Sequence, residues 1–146
     1  MTRCVLLGLA AGLALAADAP RQDAKAQLER LQGTWSVVSV EEGGKRLPAE
    51  KTEGWSLTIE GSKYTFRHGD GSVRGVYKLD PLKNPGAIDA TRTGGADVGK
   101  TLWGIYALKG GEFRLCVKLV GKERPTEFAA AEGSNTVLAV FERVKP

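Results

Sequence analysis

The sequence predicts an all-β protein, an antiparallel up-and-down barrel of about eight strands with a short N-terminal helix. Apolar and polar residues alternate with a period of two over most of the chain, which is typical of strands with one buried face. Short turns containing glycine separate these segments, and 19 of the 146 residues are Gly, against a usual share of about 7%. Barrel closure is favoured because it leaves no exposed strand edge, and a two-sheet sandwich is the alternative.

Residues 1–17 have the features of a secretory signal peptide. Arg3 supplies the positive charge, and the apolar run that ends at Ala16 is too short to span a bilayer comfortably. Small residues place the cleavage site near Ala16 or Ala17, so we predict an exported protein, periplasmic or extracellular; an uncleaved anchor is the alternative. Cleavage leaves Cys116 as the one cysteine, which excludes an internal disulfide.

A leader and a short helix are predicted to precede the barrel. Residues 18–27 are interpreted as a flexible leader and residues 28–146 as the barrel domain. Two leucines three positions apart, among helix-forming residues, predict a short amphipathic helix over residues 24–31 with Asp23 as its N-cap. Gly33 is expected to end this helix.

The strands are assigned where the alternation is bounded by turn residues. Residues 81–86 are interpreted as a longer loop because two prolines exclude a central strand. The predicted strands are residues 35–40, 55–60, 63–68, 73–80, 87–93, 101–108, 113–119 and 137–142.

The segment from Gly94 to Thr101, GGADVGKT, matches the phosphate-loop pattern GxxxxGK[ST]. A true phosphate loop is followed by a long helix, whereas residues 102–108 are aromatic and β-branched and are predicted as a strand. We therefore expect a glycine loop between strands and no bound nucleotide. The basic residues are spread singly along the strands, which is typical of a solvated face, so no nucleic-acid partner is expected.

Candidate catalytic residues are few. The single histidine, His68, precedes a Gly-Asp-Gly turn, where a surface histidine is ordinary. Cys116 lies within a predicted strand, where a buried thiol is usually inert. The spacing of the carboxylates selects no pair for hydrolysis. We therefore predict no catalytic residue, no metal site and no cofactor, and an enzyme is kept as a third hypothesis behind the two given below.

Gly33-Thr34-Trp35 opens the first predicted strand directly after the helix. This resembles the Gly-x-Trp signature of lipocalin-type barrels. The resemblance implies that Trp35 closes one end of the barrel and that an arginine of the last strand, here Arg143, packs on it. Such a cation–π contact contributes roughly 0.5–2 kcal/mol when desolvated.

Further segments, among them residues 31–39, 75–81 and 124–128, make the chain similar to a lipocalin-like domain family abundant in planctomycete bacteria. The similarity covers residues 28–145. Gly111-Glu112-Phe113 departs from the family pattern, at a place where it affects a turn more than a site. Because the molecular function of that family is undefined, the resemblance implies a fold and an exported context and no catalytic residue.

The first functional hypothesis is a binding module for a small apolar or amphipathic ligand, since barrels of eight strands can hold one small molecule. Arg124 is predicted near a barrel mouth, where it could hold a carboxylate bidentately. The predicted lining residues share the inward side of their strands: Tyr64, Phe66, Tyr77, Tyr106 and Phe113.

The second hypothesis is a protein-interaction or envelope module with a filled barrel. Trp35, Trp55 and Phe141 share the inward side, so aromatic rings alone could fill the interior. Trp103 and Ile105 face the other way and would form the docking patch for an envelope protein, unless the N-terminal helix covers them. Under either hypothesis a monomer is expected, and the volume of the interior cavity distinguishes the two.

Overall fold

Nine strands and two helices make up the regular structure of residues 19–145, the part of the chain that the computed structural model describes. The predicted signal peptide and its cleavage site lie outside the described residues. The elements are α1 (Ala19–Leu31), β1 (Gly33–Glu42), β2 (Lys45–Arg46), α2 (Ala49–Thr52), β3 (Ser56–Glu60), β4 (Lys63–His68), β5 (Gly71–Asp80), β6 (Gly86–Gly94), β7 (Thr101–Lys109), β8 (Glu112–Lys118) and β9 (Thr136–Arg143).

The sheet is a closed antiparallel barrel. From β3 onward each strand pairs with the next along the chain, and β1 pairs with both β3 and β9. The pairing of Trp35 with Arg143 and of Glu42 with Val137 joins the first strand to the last along its length. The prediction of an up-and-down barrel of eight strands is therefore confirmed, and closure excludes the two-sheet sandwich. The two-residue β2 is an additional strand that pairs only with the end of β1.

The helices differ from the sequence prediction. α1 begins at Ala19, five residues before the predicted start, so Asp23 lies inside the helix and is not its N-cap. Most of the predicted flexible leader, residues 18–27, is therefore helical, because Pro20 is tolerated in a first turn and helix formers follow it. α2 and β2 were not predicted, because elements of four and two residues are too short to show a periodic pattern. No helix in the described part of the chain is long and apolar enough to span a membrane.

α1 lies at one end of the barrel, which is called the helix end below. Its last residue, Leu31, is fully buried in the barrel core. Gln32 then ties the helix to the turn between β3 and β4. Its side-chain amide donates to the carbonyls of Leu28 and Gly61, and its Oε1 accepts from the backbone N–H of Gly61 at 2.6 Å. The opposite end, called the loop end, contains α2 and the connections that follow β4, β6 and β8.

A long segment between β8 and β9, residues 119–135, folds back over the outside of the barrel. It buries outward-facing residues of the sheet, so that Ile105 is 2% and Cys116 0% exposed. Ala130 of the segment is itself buried, and its carbonyl accepts from the N–H of Gly44 at 2.6 Å. The barrel therefore has two hydrophobic regions, one inside and one beneath this segment.

Candidate ligand-binding cavity

The barrel encloses a cavity of about 340 Å³. This volume lies within the range of about 300–1,000 Å³ that is usual for ligand pockets. All eight barrel strands contribute to the lining, and almost all of the lining side chains are aliphatic or aromatic. The aromatic residues therefore do not fill the interior. Trp35, Phe113 and Phe141 pack together at the helix end, and space remains between them and the loop end.

Four of the predicted lining residues line this cavity: Tyr64, Phe66, Tyr77 and Phe113. Tyr106 does not line it. Its side chain packs in the core at the helix end, and its hydroxyl donates a hydrogen bond to Oε1 of Gln27 in α1. The inward side of the strand was predicted correctly, but the hydrogen bond to Gln27 of α1 holds the ring at the helix end, away from the cavity.

The helix end of the barrel is closed by Trp35. Its indole N–H donates to the carbonyl of Leu31 at 2.9 Å, and its ring lies 5.7 Å from that of Phe113. The Arg143 guanidinium lies 4.3 Å from the Trp35 ring centroid, which is the contact that the sequence resemblance implies. Arg143 also donates to the carbonyls of Gln32 and Arg30 at the end of α1.

Gly33 is required at the point where α1 meets β1. Its φ of +114° lies in a region that side chains other than glycine rarely adopt. A Cβ at this position would also lie 3.2 Å from the Arg143 guanidinium. The Gly-x-Trp pattern therefore has a local cause, since glycine turns the chain and leaves room for the arginine on the tryptophan.

The loop end of the cavity is its mouth. Lys51 of α2 and Glu42 line the cavity and are exposed, so solvent reaches the interior here. Trp55 packs edge-on against Phe66, with ring centroids 5.9 Å apart, and His68 stacks on Phe66 at 5.6 Å. His68 is thus part of an aromatic cluster at the mouth, beside apolar lining residues, and is not an isolated surface histidine.

Arg92 is a charged lining residue that the sequence reasoning missed. Its side chain is 17% exposed, and its Nη1 donates to Oδ2 of Asp97 at 3.1 Å and to the carbonyl of Ala96 at 3.4 Å. Its Nε is buried and has no hydrogen-bond partner among the described residues. Ile88, Ala90 and Arg92 all line the cavity at alternate positions of β6, so strict period-two counting along this irregular strand could have found Arg92.

Tyr64 is the lining residue whose hydroxyl is influenced by Arg92. Burial raises the pKa of Tyr64, and the Arg92 charge opposes part of that rise. The ring reaches toward β6 because it lies across Gly75, where a Cβ would meet Tyr64 Cε1 at 2.6 Å. Tyr77 is used differently, since its hydroxyl donates to the carbonyl of Gly61 at 2.8 Å in the closure of the helix end.

Arg124 does not lie at the mouth of the barrel, contrary to expectation. It extends from the segment of residues 119–135 onto the outer face, where it donates to the carbonyls of Ile88 at 2.9 Å and Gly104 at 2.7 Å and to the Asp89 carboxylate at 2.5 Å. Its guanidinium also lies 5.5 Å from the Trp103 ring centroid. Arg124 fastens this segment to the sheet and is not available to a ligand inside the barrel.

The predicted docking patch is covered by the chain itself. Ile105 is fully buried and Trp103 lies partly buried beneath Arg124. The cover is the segment of residues 119–135 and not the N-terminal helix that the sequence analysis considered. The hypothesis of an interaction module therefore loses the surface on which it was based.

The phosphate-loop pattern lies between two strands. It begins at the last residue of β6, and β7 begins at Thr101, so no helix follows it. Its backbone is folded by local bonds, with the N–H of Gly99 donating to the carbonyl of Arg92 and the N–H of Lys100 to that of Asp97. Among the described residues there is also no group of three or more His, Cys, Asp or Glu side chains that could hold a metal ion.

The fold and the site define a small antiparallel β-barrel with one end closed by a helix and an apolar cavity open at the other. Comparison with protein-family models and with curated proteins finds no match for this chain.

Proposed function

We propose that this protein binds a small apolar or amphipathic molecule inside the barrel. The observation that carries the proposal is the cavity of about 340 Å³ with its aliphatic and aromatic lining. Burying apolar ligand surface in such a cavity contributes roughly 25 cal/mol per Å² before the costs of association. The mouth between α2 and the aromatic cluster provides a route of entry.

The protein acts outside the cytoplasm as a lipocalin-like domain in this proposal. Support comes from the charged, apolar and small residues of the N-terminal segment and from the Trp35–Arg143 closure. N-terminal sequencing of protein recovered from its host is expected to start near Ala17. Recovery of a chain that starts at Met1 in the cytoplasmic fraction would contradict export and leave the binding proposal standing.

Binding is tested with a neutral fluorescent probe, N-phenyl-1-naphthylamine, titrated into the purified protein. Ala90 lines the cavity, so Ala90→Leu reduces the space and is expected to weaken probe binding by about tenfold or more. Ala107→Leu is the matched control, because Ala107 pairs with Arg114 on the outward face and should leave the affinity unchanged. Native mass spectrometry of protein from its own host would show whether a small molecule is retained.

Two results would overturn the binding proposal. The first is absence of saturable probe binding by the unaltered protein, with no molecule retained from the host. The second is saturable binding that Ala90→Leu does not change, which would place the probe outside the barrel.

A further inference from the structure

The position of Arg92 needs a physical explanation. A guanidinium in an apolar cavity is costly unless its donors are paired, because burial removes the water that would otherwise solvate the charge. The pairing here is partial. Nη1 contacts Asp97 and Ala96, whereas the buried Nε has no partner among the described residues. A donor left unpaired on a charged group costs about 1–3 kcal/mol or more, so the site is suited to one further acceptor.

Asp97 is a counter-ion that can leave. Its side chain is 63% exposed, so it can return to water with little desolvation cost. It lies in the loop between β6 and β7 with a φ of +57°, between Gly95 and Gly99. The same loop that resembles a phosphate-binding pattern therefore places a carboxylate on Arg92 at the rim of the cavity.

The geometry selects the class of ligand. Nε and the neighbouring Nη of a guanidinium form a planar fork that matches the two oxygens of a carboxylate. The Tyr64 hydroxyl is a neighbouring donor, and its pKa is raised by burial above the ordinary value of 10.0. Apart from Glu42 and Lys51 at the mouth, the rest of the lining is apolar down to Ile59, Tyr77 and Phe141 near the helix end. One end of the ligand is therefore acidic and the other is hydrocarbon.

We propose that the cavity takes an amphipathic carboxylate, whose acid group binds Arg92 in place of the Asp97 side chain and whose apolar chain extends toward the helix end. This inference rests on the proposed binding function and names the chemical class of its ligand. It assigns Arg92 as the residue that determines specificity and Asp97 as the internal competitor of the ligand. In this proposal, the loop from Gly94 to Thr101 positions the Asp97 carboxylate that competes with the ligand for Arg92.

The test is displacement of N-phenyl-1-naphthylamine by decanoate and by 1-decanol, which have chains of equal length and differ in charge. The unaltered protein is expected to bind decanoate about tenfold more tightly than 1-decanol or better. Arg92→Gln should abolish this preference by weakening decanoate alone. Arg67→Gln, an arginine that is exposed near the same end of the barrel, is the control and should retain the preference.

Asp97→Asn tests the exchange separately. Removal of the competing charge is expected to strengthen decanoate binding several-fold, in line with the 0.2–1 kcal/mol or so of an exposed ion pair, and to leave 1-decanol unchanged. Unchanged decanoate affinity in Asp97→Asn would contradict the exchange.

The two proposals fail in different ways. If the probe and both competitors do not bind, the binding function itself fails. If the probe and 1-decanol bind but decanoate has no advantage, or Arg92→Gln leaves that advantage intact, the assignment of an acidic ligand is wrong and the binding function stands.

Discussion

Arg143 in the last strand lies 4.3 Å above the ring of Trp35 in the first strand and donates to the Gln32 carbonyl at 2.7 Å. One side chain thus joins both ends of the sheet to the C-terminus of α1. The arginine satisfies carbonyls that a helix end leaves without intrahelical partners. Arg143 therefore connects α1, the first strand and the last strand at the closed end of the barrel.

Arg143→Gln is expected to lower the free energy of unfolding by about 1–3 kcal/mol, because it removes the cation–π contact and the hydrogen bonds to α1. Urea denaturation followed by circular dichroism measures the change. Arg67→Gln, which alters an exposed arginine, should stay within about 0.5 kcal/mol of the unaltered protein. A loss no larger than in this control would show that Arg143 does not stabilise the helix end.

Gly75→Ala is expected to destabilise the protein by about 1–3 kcal/mol, as overpacking of a core does. The added Cβ would lie 2.6–2.7 Å from the Tyr64 ring and would also meet the Thr91 carbonyl, so either the ring or the backbone must move. Gly111→Ala is the control, since no heavy atom lies within 4 Å of a Cβ there. Equal melting temperatures for the two variants would contradict the close approach of Tyr64 to β5.

Arg124→Ala is expected to make Cys116 accessible to a thiol reagent. Burial raises the pKa of the Cys116 thiol, and the segment of residues 119–135 covers it, so the folded protein should react slowly at neutral pH. The rate is measured in a Cys4→Ser background and should rise when Arg124 no longer holds the segment. Arg114→Ala serves as the control, because it removes an exposed ion pair with Glu112 from β8, the strand that contains Cys116.

The same assay separates local from global opening. A faster reaction with little change in the free energy of unfolding is the expected pattern, because Arg124 contacts the outer face and not the barrel core. Rates equal to those of the Arg114→Ala protein would show that the segment stays closed without Arg124.

Tyr106 should make stability fall at alkaline pH. Burial, with the Asp80 carboxylate nearby, raises the pKa of Tyr106 to about 12 from the ordinary value of 10.0. The unfolded chain then releases this proton at lower pH than the folded chain. The stability linked to it is therefore complete below pH 10 and is lost between about 10 and about 12. Tyr106→Phe should accordingly be less stable than the unaltered protein at pH 9, by loss of the bond to Gln27, and the gap should narrow as pH rises. A gap that stays constant over this range would contradict the raised pKa.

The fold was predictable because each strand of the barrel shows a local alternation of apolar and polar residues. Trp35, Leu57 and Phe113 recur on the inward side of their strands, and each lies in the core. The outer face was not predictable in the same way. Ile105 and Cys116 occupy positions that alternation assigns to solvent, and they are buried by a segment more than ten residues further along the chain. The position of a long irregular segment depends on tertiary contacts, and sequence periodicity does not predict these contacts.

The candidate site was predictable in part, for the same reason. The aromatic lining at Tyr64, Phe66 and Phe113 follows from strand parity, whereas Arg124 was misplaced because a loop position does not fix where a long side chain lands. Arg92 was overlooked because the predicted lining consisted of aromatic residues, although Arg92 follows Ile88 and Ala90 at alternate positions of β6.

The pairing of β1 with β9 joins the two ends of the barrel sequence. Closure requires the first and last barrel strands to pair, so it depends on contacts between residues far apart in the sequence, such as Trp35 and Arg143. A chain without β9 would leave the edges of β1 and β8 unpaired, and unpaired edges can pair with strands of other chains. The final eight-residue strand therefore both completes the barrel core and removes the last two open sheet edges.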